Sequence, residues 1–76
     1  MEMDKKSMAL DVVAKISGKP REAIKPEMEL VADLGIDSPK GLQLLAELED
    51  TLKIQITDED AAKMNKVQDI LNFVSK

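Results

Sequence analysis

The stretch Gly35-Ile36-Asp37-Ser38-Pro39-Lys40-Gly41-Leu42-Gln43-Leu44-Leu45-Ala46-Glu47-Leu48-Glu49-Asp50-Thr51-Leu52 decides the fold, because it holds both a helix start and the longest helical pattern in the chain. At ~100° per residue, the leucines at 42, 44, 45, 48 and 52 occupy about 160° of a helix circumference. A face that wide must be buried against other elements. Pro39 at the first helical position pushes the residue before it out of helical backbone, so Ser38 reads as the N-cap of a helix running from about 39 to 52. Its hydroxyl then lies at an exposed helix mouth, where unpaired N–H groups and the positive end of the helix dipole favour an anionic group. Phosphate chemistry on that hydroxyl fits. A plain cap worth about 1 kcal/mol is the commoner role of a serine before a proline, and the local sequence alone does not overturn it.

Working towards the amino terminus, Met8, Ala9, Val12, Val13 and Ile16 fall within an arc of about 140° and predict a first helix, which Gly18 stops. Between Lys19 and Gly35 lies a connection of unusual length for a compact domain. Pro20 to Ile24 suits a single helical turn, and Ile24, Met28, Leu30, Val31 and Leu34 are expected to pin the rest to the core. Towards the carboxyl terminus, Leu52, Ile54 and Ile56 alternate with Lys53 and Gln55 as a short extended link with its apolar side chains on one side. Thr57 with Asp60 has the form of a capping box for a short third helix over 58–63. Asn65 with Gln68 repeats that form ahead of a fourth helix whose stripe is Val67, Ile70, Leu71 and Val74. The expected fold is all-α: a four-helix bundle with a long loop between helices one and two and a short third helix.

Seventy-six residues leave room for one small domain, 1–76. A core of this size rarely nets more than about 3–5 kcal/mol, and with no Cys and no His neither disulfides nor a zinc site add to it. The same absences remove the commonest general bases and the thiol nucleophile, so the chain is not expected to be an enzyme or to bind a metal. Asp58, Glu59 and Asp60 lack the glycine and final glutamate of a calcium loop. Gly18, Gly35 and Gly41 are too scattered for a phosphate loop. Fifteen acids against eleven bases, with Phe73 as the single aromatic, argue against nucleic-acid binding. No run approaches the ~18 apolar residues of a membrane span, so no stable membrane insertion and a cytoplasmic location are expected.

Taken together, Asp33-Leu34-Gly35-Ile36-Asp37-Ser38, the leucine-rich helix with Glu47, Glu49 and Asp50, Ile54-Gln55-Ile56-Thr57-Asp58-Glu59, and Val67-Gln68-Asp69-Ile70 resemble the acyl carrier protein family over about residues 3–75. The resemblance implies that a phosphopantetheinyl transferase installs 4′-phosphopantetheine from coenzyme A on Ser38, with Asp37 beside the transferase's metal and the phosphate. It implies that the arm's thiol carries acyl groups as thioesters, and that the chain works as a monomer with acyl-transferring or lipid-biosynthetic enzymes as partners in fatty-acid or specialised lipid biosynthesis. An aminoacyl or peptidyl carrier of nonribosomal synthesis is the alternative of the same chemistry, and a helical interaction module without an arm is the alternative of another class. Two departures bear on partners. Pro39 stands where the family has Leu, and Lys40 and Gln43 stand where it is often acidic. Residues 36–60 nevertheless hold seven acids (37, 47, 49, 50, 58, 59, 60) against two bases (40, 53), so partners are expected to dock on this acidic region. Gly41 falls within the leucine arc and three residues after Ser38, which predicts a cavity mouth beside it, with Leu45, Leu48, Ile56, Ala61, Met64 and Ile70 as walls.

Overall fold

The computed structural model describes residues 5–75. Its elements are α1 (Lys5–Ser17), a 3₁₀ turn (Arg21–Ala23), α2 (Ser38–Leu52), α3 (Asp58–Ala62) and α4 (Val67–Val74), with no strand among the described residues. This is the expected four-helix arrangement. Met1 and Met3 lie outside the described residues.

Helix α1 packs on α2 and α4. Ala9, Val12 and Val13 from α1 meet Leu44, Leu48 and Leu52 from α2 and Val67, Ile70, Leu71 and Val74 from α4 in a single core. No polar or charged residue is buried among the described residues, so no buried group has to recover a lost hydration shell. Gly18 takes φ +76°, and its N–H donates to the Ala14 carbonyl at 2.9 Å, closing α1 in the left-handed conformation that favours glycine.

The long connection is held by α4. The first N–H groups of a helix have no partner inside it. In α4, Val67 N–H donates to the Met28 carbonyl at 3.0 Å and Gln68 N–H to the Pro26 carbonyl at 2.9 Å, while Leu30 N–H donates back to the Asn65 carbonyl at 2.9 Å. The loop therefore satisfies donors that would otherwise face solvent, and its own Ile24, Leu30, Leu34 and Ile36 are buried as anchors. Val31 is the exception to the expected pinning: it is 67% exposed.

Three sequence expectations need correction here. The link after α2 keeps the expected alternation, with Leu52, Ile54 and Ile56 turned to the core and Lys53 and Gln55 exposed, but it is not extended from its start, because Lys53 turns into the left-handed region (φ 56°) and ends the helix. α3 ends at Ala62, one residue early, although its Thr57–Asp60 capping box forms as read, with Asp60 N–H donating to Thr57 Oγ1 at 3.1 Å and Thr57 N–H to Asp60 Oδ2 at 3.3 Å. At α4, the cap is made by Asp69 rather than by Asn65 with Gln68. Its Oδ2 accepts from Asn65 N–H at 2.9 Å and Lys66 N–H at 3.0 Å, and the Gln68 amide goes instead to Asn72.

Those two backbone donors hold the Asp69 carboxyl below its ordinary value of 3.8, outweighing a small desolvation effect in the other direction. A carboxyl whose pKa is depressed by folding contributes stability above its unfolded pKa and loses it as pH falls through the folded one. Asp69→Asn is expected to lower the melting temperature at pH 7 by about 2–6 °C, from about 0.3–1 kcal/mol for a half-buried, solvent-screened charge at a helix start. Thermal melts from pH 7 to 2 check this: the gap between variant and wild type should begin to narrow at about pH 4 and close only as the pH falls through the lowered pKa of the folded state.

Candidate functional site

Ser38 is not the cap of α2. The N-cap is Asp37 (φ −79°, ψ −171°), whose carbonyl accepts from Gly41 N–H at 2.6 Å and whose Oδ1 accepts, at a long 3.4 Å, from Lys40 N–H. The proline rule misplaced the boundary by one residue because it describes a bias against helical backbone before proline. In the first turn that bias loses to Asp37, a better partner for the free donors and a negative charge at the positive helix end. Ser38 becomes the first residue of the helix and Pro39 the second, where its missing N–H costs nothing. The consequence for the site is favourable: the Ser38 hydroxyl is exposed and makes no hydrogen bond, so it is free to react.

Beside Ser38 opens a cleft of about 410 Å³. Asp37, Ser38, Gly41 and Leu42 form its α2 side, and Leu30 and Val31 come from the loop. Of the expected walls, Leu45, Ala61, Met64 and Ile70 line it. Leu48 and Ile56 do not: Leu48 is fully buried in the core, and Ile56 packs against that core rather than on the cleft. A Cβ built at Gly41 meets no atom within 4 Å, so the missing side chain does leave open space. Leu42, expected within the buried leucine face, is 70% exposed at this rim. A 160° arc is wider than the face that α2 presents to α1 and the rest of the core, and Leu42 lies at its margin. The core takes Leu44, Leu48 and Leu52, Leu45 turns to the cleft, and Leu42 is left at the mouth.

The acidic region is less available than its composition suggests. Glu47 Oε2 pairs with Lys15 Nζ of α1 at 3.2 Å, and Glu49 Oε2 accepts from Ile56 N–H at 2.9 Å across the turn after α2. Asp37 and Asp60 serve as helix caps. Four of the seven carboxylates counted between 36 and 60 are thus engaged within the chain, leaving Asp50, Asp58 and Glu59. At the other end of α2, Lys40 occupies the third helical position, where Asp60 and Asp69 close the caps of α3 and α4. A cation there opposes the helix dipole, at a cost of about 0.3–1 kcal/mol.

The family defined by the phosphopantetheine attachment site matches residues 9–74. An acyl carrier protein from Chlorobium phaeovibrioides is 36% identical over 75 residues, covering 99% of this chain and 96% of that one. One from Syntrophobacter fumaroxidans is 37% identical over 67 residues, covering 88% and 83%. A solved structure from Mycobacterium tuberculosis, of a protein assigned as an acyl carrier protein, superimposes with a TM-score of 0.86 at 34% identity over 93% of this chain and 95% of that one. With the fold, the free serine at the head of α2 and the adjoining cleft in place, the chain belongs to the acyl carrier proteins.

Proposed function

We propose that Ser38 is the attachment point of 4′-phosphopantetheine and that the cleft beside it shelters the acyl group this arm carries, as a single carrier domain working in fatty-acid or specialised lipid biosynthesis. The observation that carries the reading is the juxtaposition of an exposed, unbonded hydroxyl with an apolar cleft that begins at the same residue. In loading, Ser38 Oγ loses its proton and bonds to phosphorus, and the phosphorus–oxygen bond to the adenosine bisphosphate half of coenzyme A breaks. Asp37 caps the helix with one oxygen, and no other described group donates to its carboxylate, which leaves it able to face a metal held by the transferase. When bound, the arm supplies the thiol that a chain without cysteine lacks.

The apolar lining favours an acyl chain over an aminoacyl or peptidyl cargo, whose amides and charges would be stripped of water there without partners. Intact-mass measurement after incubation with coenzyme A and a phosphopantetheinyl transferase tests the assignment. One phosphopantetheine adduct, on the peptide holding Ser38, is expected; an unmodified chain would favour the helical interaction module.

The shelter makes its own prediction. Each methylene that enters the cleft is worth about 0.8 kcal/mol, so a long acyl chain should raise the melting temperature by several degrees over the unacylated arm. Gly41→Leu places a side chain in the open space at the mouth. Its loaded form should lose that gain. Equal gains in variant and wild type, read by paired thermal melts, would place the acyl chain elsewhere.

A further inference from the structure

We infer that the first turn of α2 is a recognition surface, with Lys40 as its specificity-determining residue, and that the transferase which loads Ser38 meets it with an apolar patch and a carboxylate. The inference rests on Ser38 as the loading site. An enzyme that reacts at Oγ itself, rather than at the end of a long arm, must bring its own atoms against Ser38 and so cover the turn around it. Along the helix axis Lys40 lies about 3 Å and Leu42 about 6 Å beyond Ser38.

The composition of that turn is unusual in three respects. Leu42 and Val31, 70% and 67% exposed, are the large apolar side chains left to solvent among the described residues, and both stand at the rim of the Ser38 cleft. Water gains from their being covered. Lys40, on the opposite flank of the turn from Leu42, forms no ion pair. Asp37, the nearest carboxylate, spends Oδ1 on Lys40 N–H as the helix cap and forms no ion pair with the ammonium; farther along α2, Glu47 is held by Lys15 and Glu49 by Ile56 N–H, and Asp50 is ten residues away. Finally, Lys40 sits at the third helical position, which α3 and α4 fill with a capping aspartate, so the longest helix keeps a cation where it weakens the helix start. A local rule broken beside a reactive side chain, at a cost in stability, is what a specificity device looks like. The positive charge attracts an enzyme carrying a carboxylate at the matching point and repels one carrying a basic side chain there.

The test is steady-state loading by the phosphopantetheinyl transferase of the organism that makes this chain, with coenzyme A, for wild type, Lys40→Gln, Lys40→Glu and Leu42→Ser. Lys40→Glu should raise KM for the carrier about tenfold at 0.05 M salt and Lys40→Gln about threefold, kcat should hold, and the differences should shrink to about twofold at 0.5 M salt as screening shortens the reach of the charge. Leu42→Ser should raise KM by a factor that salt does not reduce. Melting temperatures supply the control, because Lys40→Glu removes a repulsion with the helix dipole and should melt about 2–6 °C higher than wild type. A better-folded variant that loads worse separates recognition from structure. Unchanged or lower KM for Lys40→Glu overturns the inference while leaving Ser38 as the loading site. A wild-type chain that no transferase loads overturns both.

Discussion

Ser38→Ala is expected to leave the chain folded and to end its loading. The two effects separate because the structure divides the work at the head of α2 between neighbours: Asp37 caps the helix, and Ser38 is left exposed with an unbonded hydroxyl. Alanine is the better helix former at a helical position, so the melting temperature should stay within about 2 °C of wild type. Asp37→Ala is the contrasting variant, since it removes the cap and should cost about 1 kcal/mol. For loading, no second hydroxyl stands in the first turn, and the next along α2 is Thr51 near its far end. Intact mass after treatment with coenzyme A and transferase should show the adduct on wild type and none on Ser38→Ala. An adduct at another serine of the variant would sink the assignment.

What the sequence made legible was the periodic part. The α4 stripe, Ala9, Val12 and Val13 of α1 and the leucines at 44, 48 and 52 are buried as their spacing implied, with Met8 and Ile16 partly buried at the edge of the α1 stripe. Legible too was the gap at Gly41, since a missing side chain needs only a position on the helical wheel. The errors share a different physical origin: they concern groups whose partner is remote or competes with a neighbour. Asp37 took the cap from Ser38 because two adjacent residues both suit that position, and the proline bias is weaker than a charge at the helix mouth. Asp69 took the cap of α4 because its carboxylate reaches two backbone donors at once.

Remote partners account for the remainder. Nothing near Pro26 or Met28 announces that their carbonyls end at the start of α4, yet those bonds are what order the long connection and so set Leu30 and Val31 at the cleft. Counting carboxylates between 36 and 60 overstated the docking charge for the same reason, because the count has no knowledge of Lys15, 32 residues away from Glu47. The carboxylates left to a partner, Asp50, Asp58 and Glu59, lie towards the carboxyl end of α2 and at the start of α3.

Leu48→Ala is expected to unfold most of the chain at 25–37 °C, whereas Leu45→Ala, three residues earlier on the same helix, should leave it folded. Leu48 is 0% exposed and packs among Leu44, Val13, Val67 and Ile70 in the fully buried centre. Truncation there removes contacts and leaves a sealed void, a change that costs about 2–5 kcal/mol. A domain of under 80 residues without disulfide or metal rarely holds more than about 3–5 kcal/mol in its core, so this one substitution consumes most of its stability. Leu45 is half-buried and lines the cleft, so the same truncation widens a space that already opens to solvent and leaves no new sealed cavity. Circular dichroism melts check the contrast. The two variants should also respond differently to an acyl chain on the arm: it can fill the widened cleft of Leu45→Ala and restore part of its melting temperature, whereas Leu48 does not line the cleft and its void lies behind Leu44 and Ile70, which do. Equal melting temperatures for the two variants, or recovery of Leu48→Ala on acylation, would mean that core and cleft are one continuous space.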